Sequence, residues 1–424
     1  MNIQAKPQKT QAEQALIDTF ASVFSDLPGD ADVVSARDRL IGALSDNGLP
    51  TRRVESWHYT DLRTLLREIP APSKAANARQ VRPFIDGSLV LPLLDGRYVS
   101  PQNISGVTVS SYRDELMSGR AAETLKPKAA DDIIGLMNSA FVMDGYVISI
   151  APETEVGQII ELQSVQEGGQ IHDRSVIDFG AGAKATIIDR QLGSGDKPGL
   201  SSALTNIKLA DNAEITWIVL QEKGADDTHL GQIRAELGAG ATLKLYIVNT
   251  GGKLVRQEVD VAAAGEGAHF DLRGINLLAG QSHTDITLTL GHTVPNTTSQ
   301  EIIRNVVLDR ARGVFQGQIR VAREAQKTDA QMACNTLLLS DEGEFDAKPE
   351  LEIFADDVIC AHGATVIDLD PVHMFYLKAR GITEKSARSL LINGFVDELV
   401  DELENETISD ALKTRIESWL ETHV

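Results

Sequence analysis

The run Ile286-Thr287-Leu288-Thr289-Leu290 alternates apolar and polar residues with a period of two. That is the pattern of a strand with one face turned inward. Gln318-Ile319-Arg320-Val321 repeats it. From about residue 145 to 367, short β-branched runs alternate with Gly, Asp and Asn, and helical periodicity fades. Gly182-Ala183, Asn212-Ala213, Gly240-Ala241 and Gly267-Ala268 each precede a strand-like run. Their intervals of roughly 27 to 30 residues suggest stacked coils. Pattern alone leaves a sandwich or a barrel open.

Outside this region the texture is helical. Leu16, Phe20, Val23 and Phe24 recur at helical spacing, and Leu40, Ile41 and Leu44 lead to a stop at Gly48 and Pro50. An aromatic and charged cluster follows, from Arg53 through Glu55-Ser-Trp57-His-Tyr59-Thr60-Asp61 to Arg63. Residues 70 to 105 carry Pro70, Pro72, Pro83, Pro92 and Pro101 and read as irregular with short strands; residues 112 to 142 return to helix-like spacing. After residue 368, Asp370 and Pro371 predict a helix start and Gly381 its end; Thr383 starts another, with Ala387, Leu390 and Leu391 on one face and Gly394 as its stop. Leu412, Ile416, Trp419 and Leu420 form the apolar stripe of a last helix. The expected division is 1–144 helical and mixed, 145–367 β, and 368–424 helical.

Composition narrows the function. The chain has 424 residues, ample for a core, and a formal charge of −21. Such acidity argues against nucleic acid and anionic membranes. No apolar run approaches a membrane span, and Met1 to Thr10 lacks the apolar core of a signal peptide. Two cysteines cannot make a disulfide framework, so a reducing cytoplasm is expected. CxxC, HExxH, GxxxxGK[ST] and GxGxxG are all missing, so any ATP hydrolysis must belong to another protein.

The chemistry concentrates in Glu350-Leu-Glu-Ile-Phe-Ala-Asp-Asp-Val-Ile-Cys360-Ala-His362-Gly-Ala-Thr-Val366. In a strand, Cys360 and His362 point to one face. Thiolate and imidazole suit iron, zinc or copper. Two ligands leave a tetrahedral site open, so the remainder must come from outside this strand.

An ordered series resembles a known family. It runs through Arg312-Gly-Val-Phe315-Gln-Gly317, Ala325-Gln-Lys-Thr-Asp329, Leu337-Leu-Leu-Ser340, Pro349-Glu-Leu-Glu352-Ile, Ala355-Asp-Asp357, His362-Gly-Ala-Thr365, Phe375-Tyr-Leu-Lys-Ala-Arg380-Gly-Ile and Ala387-Arg-Ser-Leu-Leu391-Ile-Asn-Gly-Phe395. This is similar to the SufB/SufD family of iron–sulfur cluster assembly proteins, and the Glu55 to Arg63 cluster extends the likeness. His-Gly-Ala-Thr, in place of the His-Glu-Ala typical of SufB, resembles the SufD branch. The resemblance implies a mainly β fold with helical ends: a right-handed parallel β-helix core flanked by helical regions. It further implies a non-catalytic scaffold that pairs with SufB through that core and docks the SufC ATPase on its C-terminal helices. A transient iron–sulfur cluster, or its iron, would be shared with SufB, with none tightly held by the isolated chain. When isolated, the chain could pair with itself.

By that resemblance His362 is a candidate ligand at the contact between the two proteins; the plainer role is fixing the strand-to-helix turn. Cys360 is the second metal candidate, though a lone thiol is often packing. Cys334 reads as core. His172, His229, His269, His283 and His292 read as surface or satisfied-core residues, and Arg304, Arg310 and Arg312 as ion-pairing with Asp309 and other carboxylates. The acidic run from Asp397 to Glu406 reads as a solvated helix face, with Leu399, Val400 and Leu403 inward. Two rivals remain: a β-helix enzyme acting on an anionic polysaccharide, for which no carboxylates or arginines stand at repeat spacing, and a purely structural SufD without a metal ligand.

Overall fold

The computed structural model describes residues 8–73, 78–99, 104–193 and 197–424. Pro101 and the first seven residues, on which part of the signal-peptide reading rests, lie outside the described residues. The N-terminal region holds helices α1 (Gln11–Val23), α2 (Ala31–Asn47), α3 (Leu62–Leu65), α4 (Tyr112–Met117) and α5 (Ile133–Phe141). Strands β1 (Leu89–Leu94), β2 (Arg97–Tyr98), β3 (Val107–Ser111) and β4 (Tyr146–Ile150) are interspersed with them. An unbroken series of strands follows: β5 (Ile160–Gln166), β6 (Gly169–Phe179), β7 (Lys184–Gly193), β8 (Gly199–Leu209), β9 (Glu214–Glu222), β10 (Thr228–Leu237), β11 (Thr242–Asn249) and β12 (Leu254–Ala263). It continues through β13 (His269–Leu278), β14 (His283–His292), β15 (Thr298–Val307), β16 (Arg312–Val321), β17 (Asp329–Leu338), β18 (Glu344–Ile353) and β19 (Ile359–Ile367). Helices α6 (Pro371–Ala379), α7 (Glu384–Val400) and α8 (Glu406–His423) close the chain.

Odd-numbered strands from β5 onward line one sheet and even-numbered strands from β4 onward the other, each pairing in parallel with the strand two places on. The result is a β-solenoid of about 8 turns with helices at both ends of the chain, which decides for stacked coils over a sandwich or a barrel. The Gly-Ala repeat has a physical cause. Gly182, Asn212, Gly240 and Gly267 have φ of 67°, 58°, 63° and 75°, the left-handed region that Gly and Asn enter at least cost. Each alanine that follows is fully buried at the corner of its coil. Asn296-Thr297 and Lys327-Thr328 continue the series with φ of 59° and 64°. Those residue types disguise the last repeats in the sequence.

Apolar side chains fill three places. The solenoid interior is one continuous cluster running from Leu91 to Met332 and Cys334. α2 and α5 pack Leu40, Ile134 and Met137 on the outer face of the even-numbered sheet, against Leu200, Leu230 and Leu254. α7 and α8 pack Ile392, Val396, Leu412 and Ile416 on the outer face of the odd-numbered sheet, against Ile218, Val248 and Ile275. Both faces of both sheets are therefore largely covered, as parallel sheets require.

Local capping follows the sequence at most helix ends. Thr10 and Glu13 form a reciprocal capping box on α1, and Gly48 closes α2 with φ 68°. The Asp370 side chain accepts from the Val372 N–H, with Pro371 in the first turn of α6; Thr383 accepts from the Ser386 N–H. Gly394 does not stop α7, which continues to Val400. Burial of Val396, Leu399 and Val400 outweighs the weak helix preference of one glycine. Leu390, expected on an inward face, is 51% exposed.

Candidate functional site at the open end of the solenoid

In-register parallel strands stack equivalent side chains. Two inward columns end at the residues singled out by the sequence: Phe270, Ser299, Ala330, Cys360 and Leu272, Glu301, Met332, His362. Cys360 and His362 thus share the inward face, and Cys360 packs partly against the interior cluster. Yet His362 is exposed and Cys360 only half-buried, because no coil follows theirs.

β18 and β19 are the terminal strands of their sheets, each hydrogen-bonded on one side only. At the opposite end the chain caps itself, with β2 antiparallel to β1 and β3 antiparallel to β4. The bare end carries exposed Phe354, Ile359, Val366 and Ile367. Two long, apolar, unpaired edges side by side are a ready template for another chain's strands.

Burial pushes the Cys360 thiol above its ordinary value; a backbone contact at Ala330 tempers the rise, and the Asp329 and Glu301 carboxylates add to it. Such a thiol is a poor nucleophile on its own and becomes a thiolate ligand when a cation supplies compensating charge. Cys334, one coil deeper, is almost fully buried and pushed up to about 12. It is core, as expected. Among the described residues, no three His, Cys, Asp or Glu side chains are grouped so as to hold a metal ion.

The other histidines are satisfied where they stand. His172 bonds Ser202 at 2.7 Å and stacks on Phe141, and His229 bonds Ser201 at 2.8 Å. His283 and His292 sit at opposite ends of β14, against Thr60 at 3.0 Å and Thr297 at 2.8 Å. Burial lowers His172 and His229 to about 3, and His283 and His292 to about 4, so all four are neutral near pH 7. His269 joins Thr298 at 2.7 Å to Asp271 at 2.9 Å on the outer surface. Arg304 pairs with Glu398 and Arg312 with Asp346, whereas Asp309 accepts the Gly280 N–H instead of an arginine.

The aromatic and charged cluster near residue 57 is a clamp. Trp57 is buried beneath the fully buried Arg256, whose guanidinium carbon lies 3.9 Å from the ring centre. Arg256 pairs with Asp285 and Glu258 and donates to the Ser56 carbonyl at 2.6 Å. Thr60 donates to Asp285, and Glu55 pairs with Lys348 on β18. This N-terminal segment therefore crosses three coils and reaches the edge strand. Sequence reasoning saw the cluster but not its anchor, because Arg256 lies some 200 residues away.

One interior residue escaped notice. Glu301 is fully buried, and neither carboxylate oxygen has a hydrogen-bond partner. Burial pushes it up to about 8; the nearby Ser299 hydroxyl tempers this but is turned to His292 Nε2 at 3.2 Å. Its only sequence signal is a carboxylate at an inward position of an alternating strand.

The chain is thus a β-solenoid protein with one bare end, where the Cys360 thiol is half-buried and the His362 imidazole exposed. The family model for the SUF system iron–sulfur cluster assembly SufBD core domain matches residues 162–395, more than half of the chain. The chain is 29% identical to the iron–sulfur cluster assembly protein SufD of Escherichia coli, over 87% of this chain and 89% of that protein. It is 26% identical to an iron–sulfur cluster assembly SufBD family protein of Synechocystis (91% of this chain, 90% of that one). A chloroplastic protein of Arabidopsis thaliana, ABCI7, is 26% identical over 98% of this chain and 91% of its own length. The chain belongs to the SufB/SufD family, on its SufD side, and takes part in SUF iron–sulfur cluster assembly. No helix among the described residues is long and apolar enough to cross a membrane.

Proposed function

We propose that the chain is a non-catalytic scaffold subunit that joins a SufB protein edge to edge at the bare end of the solenoid. There it shares a nascent iron–sulfur cluster, or its iron, through His362 and Cys360. The observation that carries this reading is the exposed His362 imidazole and half-buried Cys360 thiol at the end where β18 and β19 are left without a covering strand. A partner's coil placed on β18 and β19 would bury the apolar edge and bring further ligands over the thiol and imidazole. Neither chain would then complete the site alone.

The ATPase partner, SufC, would dock on the C-terminal helices. α6 buries none of its residues, and Val372 and Phe375 are 68% and 74% exposed. α7 continues from it onto the outer face of the odd-numbered sheet. ATP binding would act by favouring one arrangement of these helices over another, since a ligand shifts only equilibria whose states it binds differently. We place the machinery in the cytoplasm.

The test is anaerobic co-purification with SufB and SufC, followed by iron and sulfide analysis. His362→Ala is expected to assemble normally and to carry less cluster. A mutant complex that reconstitutes to wild-type iron and sulfide removes the ligand role and leaves a purely structural subunit.

A further inference from the structure

The two bare edges at the end of the solenoid are not equivalent. On β18, the Glu344 N–H donates to the Ala311 carbonyl at 3.0 Å and the Phe354 N–H to the Val321 carbonyl at 2.9 Å. Backbone groups alternate sides along a strand, so even-numbered residues face β16 and odd-numbered ones the open edge. One of the latter is Pro349, which has no N–H to offer. Phe345 and Leu351 turn inward to the core, so Glu344, Asp346, Lys348, Glu350 and Glu352 form an outward row of charge. Arg312 holds Asp346 at 2.7 Å, and Lys348 holds Glu350 at 3.1 Å and Glu55 of the clamp. Proline and charge both discourage the addition of a further strand.

β19 is built the other way. The Ile359 N–H donates to the Thr328 carbonyl at 2.9 Å, which turns the odd-numbered backbone groups to β17. Those of Cys360, His362, Ala364 and Val366 are left on the open edge. The strand has no proline, and its outward row of Ile359, Ala361, Gly363, Thr365 and Ile367 has no charge. Gly363, at its centre, has no reason inside this chain. Its backbone lies outside the left-handed region, and a Cβ there would meet nothing within 4 Å among the described residues. A glycine weakens a strand and marks a place where another backbone comes close.

We propose that a strand of the SufB partner pairs by backbone hydrogen bonds with β19 alone, and that β18 meets the partner through side chains only. This rests on the docking at the bare end and deepens it. The added strand runs beside Cys360 and His362 and holds their backbone groups, which fixes the register of the partner's residues against the thiol and imidazole. A second copy of this chain fits the same edge less well. A two-fold join through β19 sets the acidic row of β18 against its own copy, and like charges face to face repel.

The test measures the affinity of full-length SufB for the full-length chain with a proline placed on either edge. Ala364→Pro removes an outward N–H of β19 and Ala347→Pro one of β18, and by the alternation neither N–H serves this chain's own ladders. Ala364→Pro is expected to weaken binding about ten- to a hundredfold, the effect of leaving a buried carbonyl of the partner unmet. Ala347→Pro should leave it within about threefold, as at a surface position. If Ala364→Pro fails to fold, Gly363→Val decides in its place: it keeps every N–H, suits a strand, and is expected to weaken binding about tenfold or more by blocking the close approach. Equal losses from the two prolines overturn the one-sheet joint and leave the docking at the bare end standing. No loss from any of the three variants overturns both. An isolated chain that pairs with itself through β19 as tightly as it binds SufB overturns the partner's strand as the occupant.

Discussion

Phe270 and Cys360 occupy the same inward column three coils apart, yet Phe270 is fully buried and Cys360 is not. Nothing in the strand itself distinguishes the two positions. In a solenoid, an inward side chain is sealed only when another coil follows, because each repeat hides its face against its neighbours. The first turn is capped by antiparallel β2 and β3, and the last turn is left bare. A half-buried thiol and an exposed imidazole stand where the seal is missing, while the sealed columns hold mainly apolar side chains, with a few buried polar ones such as Asn276 and Glu301.

Substitution at the two ends of that column should separate them most sharply. Phe270→Ala is expected to lower the unfolding free energy by about 3–5 kcal/mol, the usual cost of emptying a large aromatic from a core. Cys360→Ala should change it by no more than about 0.5 kcal/mol, as at a surface position. Denaturant melts of both variants measure this, and an equally damaging Cys360→Ala would mean that the last coil is sealed.

The pH dependence of stability probes the depth between them. Glu301, pushed up to about 8 from an unfolded value of 4.5, keeps its proton in the folded chain across a range where the unfolded chain has lost it. The unfolded state then binds fewer protons, so stability falls as pH rises through that window. Between pH 5 and 7.5 Glu301 alone should contribute a loss of roughly 3 kcal/mol, read as the change in the stability difference between the wild type and Glu301→Gln. Melting curves across that range that remain parallel for the two proteins would show that Glu301 is not sealed as the coils suggest. The four buried neutral histidines act in the opposite sense, destabilising the fold as pH falls below about 6.5.

A smaller contrast comes from the interior amides. Asn249 donates to Asn276 at 2.6 Å and Asn276 to Asn305 at 2.7 Å, a buried ladder running toward the bare end. Asn276→Ala should cost about 1–3 kcal/mol by leaving buried neighbours unpartnered. Thr365→Ala, which removes the exposed bond from Asn335 at 2.7 Å, should cost a few tenths at most, about the scale of surface changes. Comparable losses at both sites would erase the distinction between interior and edge.

The sequence by itself determined the local choices. Period-two runs made strands, Asp370, Pro371 and Thr383 placed helix starts, and Gly and Asn tolerant of φ > 0 marked the corners of the earlier coils. The resemblance to the SufB/SufD family was also written there, in motifs spread over the later coils. Tertiary structure decided the rest. Both faces of these sheets are covered, one by the interior and one by helices, so alternation could not say which residues face inside. Glu301 therefore looked like any other strand carboxylate until its column was assembled. The same ignorance hid Arg256 above Trp57 and let Gly394 pass for a helix end, since packing against distant segments overrules propensities worth a fraction of a kilocalorie. Whether Cys360 and His362 lie in a core or at an opening depends on the number of coils stacked above them, and that count belongs to the whole chain.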